Sequence, residues 1–158
     1  MSGPSQRFDF ATHKLWSKCT IGRDVYISDM VRVRGALSLI EVCDSASIAD
    51  FVVMLAEASM HIGTNVRIGY QCAILAHDSV RICANVKLGV GVKLLAGYTG
   101  EAGWISKPIE IGTGSVISAG SIILPGVKLG SNSFTQPNEV IDAKSVRQSL
   151  RHGGELPA

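Results

Sequence analysis

An aliphatic residue recurs at every sixth position over most of this chain. Ile111, Ile117, Ile123 and Leu129 stand six apart, and Ile111 and Leu129 are each followed by glycine. An amphipathic helix repeats about every 3.6 residues and a half-buried strand about every 2, so neither explains the spacing. A short strand followed by a tight corner does repeat in six. Three such units close one turn of a triangular β-solenoid.

The period runs backwards once its breaks are allowed for. Val42, Ile48 and Met54 form one set of three, Ile62, Ile68 and Ile74 the next, and Ile82, Leu88 and Leu94 another. Ile21, Ile27 and Val33 form a looser set before them. Within a set the spacing is six; it is eight from Met54 to Ile62 and from Ile74 to Ile82, and seventeen from Leu94 to Ile111. All insertions therefore fall at the third corner and stack along one edge of the prism. Insertions in solenoids gather on one face, often the one that binds.

Composition fits this reading. The chain is 46% hydrophobic but only 6% aromatic, with 17 glycines, which suits an aliphatic interior and many tight corners. Its 158 residues make one domain. A net charge of +2 argues against nucleic acid as a partner, and no apolar run is long enough to span a membrane. The opening residues lack a signal-peptide core, so the expected location is the cytoplasm. Cys19, Cys43, Cys72 and Cys83 form no Cys-x-x-Cys pair, so buried reduced thiols are expected and no metal site. The expected organisation is a cap over 1–20, a β-helix over 21–134 with a protruding loop at 98–109, and a tail over 135–158. Phe8, Phe10, Leu15 and Trp16 are expected to close the first end. The tail carries a short helix with Asp142 as N-cap and Gly153 as stop.

The third corner of successive turns repeats nearly the same text: Met54-Leu55-Ala56-Glu57, Ile74-Leu75-Ala76-His77 and Leu94-Leu95-Ala96-Gly97. The lines diverge in one column, holding Glu57, His77 and Gly97. Hydrogen-bonded strands lie about 4.8 Å apart, so Glu57 is one layer from His77, and Gly97 leaves space on the other side. A histidine flanked by a carboxylate and a gap is the arrangement of a general base open to substrate. Asp78 is a second candidate for the orienting carboxylate. Alternatively the pair is a solvated surface contact. The excursion from Tyr98 to Pro108 leaves from the same edge and carries Trp104.

These motifs resemble the hexapeptide-repeat acyltransferases, whose fold is a left-handed parallel β-helix. The resemblance rests on Ile74-Leu-Ala-His-Asp78, Gly97-Tyr-Thr99, Ile111-Gly112 and Ile122-Ile-Leu-Pro-Gly-Val127, and covers a little over half the chain. It implies an all-β chain that transfers an acyl group, usually acetyl, from acetyl-CoA to a hydroxyl or amine of a sugar or sugar nucleotide, as in polysaccharide biosynthesis. It implies a homotrimer with clefts between subunits, no metal, and His77 as the base supported by Glu57 or Asp78. Ser118, Ala119, Gly120, Ser131 and Trp104 become the expected coenzyme contacts. The chain departs from the family by the extra turn Val80–Ala96, which sets His77 one layer from the Tyr98-Thr99 loop. Two other classes compete. A catalytically silent β-helix scaffold needs no base, and a γ-type carbonic anhydrase needs three histidine ligands for zinc. Of His13, His61, His77 and His152, only His61 and His77 lie in the repeats.

Overall fold

The computed structural model describes residues 14–146, and over them the chain is a left-handed parallel β-solenoid of about six turns. Three parallel sheets form its faces. The first face stacks Thr20–Ile21, Ile40–Val42, Met60–Ile62, Val80–Ile82, Ile109–Ile111 and Lys128–Leu129. The second stacks Tyr26–Ile27, Ser47–Ile48, Arg67–Ile68, Lys87–Leu88 and Val116–Ile117. The third stacks Arg32–Gly35, Val53–Ala56, Ala73–Ala76, Lys93–Leu95, Ile122–Ile123 and Val140–Ile141.

The hexads set the register. Ile62 pairs with Ile82 and Ile82 with Ile111, while Ile68 pairs with Leu88 and Ile74 with Leu94. All nine of these hexad positions from Ile62 to Ile123 are buried, so each turn lays its aliphatic side chains on those of the next. Two members of the looser first set, Ile21 and Val33, are only partly buried, as expected of a terminal turn.

The corners need tight turns, and at many of them one residue takes left-handed backbone angles. At the first corner these include Asp24, Ser45, Asn65, Asn85 and Asn132, residues that tolerate such angles. Asn65 Nδ2 donates to Asn85 Oδ1 at 2.9 Å, so this corner carries an amide contact between turns. At the second corner Phe51 has φ 64°, a position where a bulky side chain is strained.

The ends differ from expectation. Trp16, on a 3-10 helix at Lys14–Lys18, is buried in the core, whereas Leu15 beside it is exposed. Phe8 and Phe10 lie outside the described residues. The solenoid also runs past residue 134, because Val140–Ile141 pairs with Ile122–Ile123 and adds a rung to the third face. Helix follows at once. Asp142 Oδ1 accepts from the Ser145 amide at 2.7 Å and from its hydroxyl at 2.8 Å, which makes Asp142 the N-cap. These bonds hold its carboxyl below the ordinary value. Gly153 is outside the described residues.

Candidate active site

The 20-residue turn converts sequence offset into contact. Ala56 pairs with Ala76, so the residues that follow, Glu57 and His77, leave the sheet side by side at the third corner. The Glu57 carboxylate accepts a hydrogen bond from His77 Nδ1. That contact puts the proton on Nδ1 and leaves Nε2 as the lone-pair nitrogen, and Nε2 has no hydrogen-bond partner among the described residues. The His77 side chain is 19% exposed and that of Glu57 54%, so the imidazole is shielded while its carboxylate partner stays wet.

Asp78 does not share this role. Its Oδ1 accepts from the Ser79 amide at 2.7 Å, closing the turn into the next strand. Among the described residues, the carboxylate bonded to the ring is that of Glu57.

Gly97 stands in the next layer, but the space beside it is not a void. The excursion folds as an antiparallel hairpin, Gly97–Gly100 against Gly103–Ser106, with Thr99 opposite Trp104. The hairpin turns back along the edge, and Trp104 packs edge-on against His77, with centroids 4.8 Å apart and planes at 89°. A side chain at Gly97 would meet His77 Cβ at 2.6 Å and Trp104 Cζ2 at 2.7 Å. The gap expected for substrate is thus lined by the chain's own indole. The extra turn Val80–Ala96 is spanned by this fold-back.

Of the expected coenzyme contacts, Trp104 lies at this edge and the others do not. Ser118-Ala119-Gly120 follows the second-face strand Val116–Ile117 and sits at the second corner. Ser131 follows the first-face strand Lys128–Leu129 and sits at the first corner. Neither shares an edge with His77, because one hexad separates neighbouring corners and six extended residues reach up to about 20 Å. Of the three amides at 118–120, Ser118 donates to Thr135 Oγ1 at 2.8 Å and Gly120 to Val90 O at 2.8 Å. The Ala119 amide has no acceptor among the described residues. Gly89 below it lacks a side chain that would stand 2.8 Å from that nitrogen, so the amide stays approachable.

The cysteines also depart from expectation. Only Cys72 is buried; its Sγ donates to Gly89 O at 3.1 Å. Cys19, Cys43 and Cys83 are partly exposed, because they sit at the margin of the prism rather than inside it. Burial pushes the Cys19 thiol up to about 11. A second histidine pair lies on the first face, where Glu41 Oε1 accepts from His61 Nδ1 at 2.6 Å and Cys43 Sγ is 3.9 Å from His61 Nε2. The sequence reading missed it, although Glu41 and His61 carry the same 20-residue offset as Glu57 and His77.

No protein-family model and no curated protein sequence matches this chain. Solved structures do. AntD, an N-acyltransferase from Bacillus cereus bound to dTDP and 3-hydroxybutyryl-CoA, is 13% identical over 97% of this chain and 99% of its own, with a TM-score of 0.69. A variant of AntD bound to dTDP and coenzyme A is 17% identical over 87% of this chain and 82% of its own, with a TM-score of 0.68. A hexapeptide-repeat-containing acetyltransferase from Vibrio cholerae is 19% identical over 82% of this chain and 76% of its own, with a TM-score of 0.63. At these identities the likeness is one of fold: this chain is built on the same hexapeptide-repeat β-helix as these acyltransferases.

Proposed function

We propose that this protein is an acyl-CoA-dependent acyltransferase whose acceptor is a hydroxyl or amine of a sugar nucleotide, with His77 as general base. The observation that carries the reading is the Glu57–His77 pair, with its unpartnered Nε2 on the edge that also bears the hairpin. The fold shared with AntD, which was crystallised with dTDP and acyl-CoA, supports the substrate class.

On this reading Nε2 takes the acceptor's proton as its oxygen or nitrogen attacks the thioester carbonyl. Glu57 stabilises the imidazolium that forms. The tetrahedral oxyanion is held by main-chain amides, for which Ala119 N is the candidate. Collapse expels the coenzyme thiolate, and the imidazolium returns the proton to that sulfur. Ala119 and His77 lie on different edges of one chain, so a complete site needs the Ala119 edge of a neighbouring copy. We therefore expect a closed homotrimer, tested by light scattering. A coenzyme A donor fits a cytoplasmic enzyme, and no step uses a metal.

The test is thioester turnover with mixed sugar-nucleotide acceptors. His77→Ala lowers turnover by about 10²–10⁴-fold with coenzyme binding retained, and Glu57→Gln by roughly tenfold. Transfer that proceeds at the wild-type rate in His77→Ala sinks the assignment. The competing scaffold reading draws on Trp104, which covers the His77 ring from the side where a substrate would approach. Absence of turnover with every acceptor, in a trimer that binds no coenzyme A, favours the scaffold.

A further inference from the structure

The first face carries a second cluster, separate from the His77 edge. Glu41, Cys43 and His61 offer three ligand atoms within 4.8 Å of one another, contributed by two neighbouring turns. The three groups are chemically different, and their order is informative. Glu41 Oε1 lies 2.6 Å from His61 Nδ1, so the carboxylate accepts from Nδ1–H and leaves the Nε2 lone pair toward Cys43 Sγ, 3.9 Å away. Metal-ligating histidines almost always donate their other ring N–H to a carboxylate, a backbone carbonyl or a water, which fixes the tautomer and raises ligand basicity.

The spacing fits one ion between nitrogen and sulfur. Zinc bonds of about 2.0–2.1 Å to nitrogen and about 2.3 Å to sulfur, at a tetrahedral angle, place the two atoms about 3.6 Å apart. A small side-chain adjustment closes the observed 3.9 Å. His61 lies on the strand Met60–Ile62, and Cys43 directly follows the strand Ile40–Val42, whose Val42 pairs with Ile62. The same residues could be read as an activated thiol with a histidine and a carboxylate. Two carboxylates, Glu41 and Asp44, stand near the sulfur together with the Arg81 guanidinium. The two carboxylates favour a cation instead, which displaces the thiol proton on binding.

We propose that Cys43 Sγ and His61 Nε2 bind a borderline divalent metal ion of the zinc type, with Glu41 as the outer carboxylate that orients His61. Water fills the remaining positions of the shell, since Glu41 and the rim of the face are exposed. The ion clips the second turn of the prism to the third. Its role is separate from acyl transfer, which uses His77 on another edge.

The experiment is a titration of the full chain with Co²⁺ in a thiol-free reducing buffer. A near-ultraviolet sulfur-to-cobalt charge-transfer band is expected, saturating at one equivalent and lost on addition of Zn²⁺. Cys43→Ser abolishes the band, His61→Ala weakens binding at least tenfold, and Glu41→Gln weakens it about 10–100-fold without changing the band's shape. In the unsubstituted chain, Zn²⁺ also protects Cys43 from iodoacetamide while Cys83 remains labelled, a readout independent of how the variants fold. A thiolate band that survives Cys43→Ser, an unprotected Cys43, or no thiolate band at all overturns the proposal. None of these outcomes bears on turnover by His77.

Discussion

Gly97→Ala tests the stacked column directly. An added Cβ would lie 2.6 Å from His77 Cβ and 2.7 Å from Trp104 Cζ2, against 3.4–4 Å for ordinary contact. About 0.8 Å of relief is therefore needed against His77, the difference between 3.4 and 2.6 Å. Trp104 can swing outward, because it is on a hairpin and largely exposed. His77 Cβ cannot, because its strand is tied to the next layer by the Ala96 N–H to Leu75 O bond at 3.0 Å. Overpacking of this kind costs about 1–3 kcal/mol. For a chain of this size that lowers the melting temperature by roughly 2–12 °C. Because the rigid contact is with His77, Trp104→Ala in the same chain recovers only part of the loss. Gly130→Ala is the control: a Cβ there meets nothing within 4 Å, and no left-handed φ is required. It should change stability by less than about 0.5 kcal/mol. Thermal unfolding followed by circular dichroism reads both variants. Equal melting temperatures for Gly97→Ala and Gly130→Ala would refute the column geometry.

Ile68→Asp places a carboxylate at a buried hexad position with no cation beside it, and should cost several kcal/mol; a soluble, fully folded variant argues against the register. Phe51→Asn relieves a left-handed phenylalanine whose side chain is 55% exposed, and should stabilise the chain by about 1 kcal/mol in urea unfolding. A destabilised Phe51→Asn protein would mean that the ring has contacts that outweigh the strain. Asp142 has a depressed carboxyl value, so its cap contributes fully above the ordinary value of 3.8 and is lost as pH falls through the lowered one. Asp142→Asn should flatten that part of the stability profile below pH 4, and an unchanged acid limb counts against the cap.

The hexads were readable because a solenoid repeats its environment. Every sixth side chain enters the same interior, so period alone assigns Ile68, Leu88 and Ile117 to one buried column before any coordinates are known. The offset of one turn is likewise sequence information, which is why Glu57 was placed beside His77. By the same counting, Glu41 and His61 were legible and overlooked. So were the corners that keep Ser118-Ala119-Gly120 and Ser131 off the His77 edge, since each follows a different member of its set. The choice between Glu57 and Asp78 was not legible, because it depends on which way a corner residue points.

Tertiary structure alone decided the rest. The excursion between Leu94 and Ile111 has no period, so nothing in its text says where it goes. The chain folds it into a hairpin whose antiparallel pairing turns Trp104 back across the extra layer onto His77. In the same way, a sulfur 3.9 Å from an imidazole nitrogen depends on two side-chain torsions that no repeat dictates. Repetition makes backbone positions predictable from sequence because each layer is built on the last. Where the chain leaves the repeat, or a side chain leaves the surface, its position is set by packing against whatever that layering has already put in place.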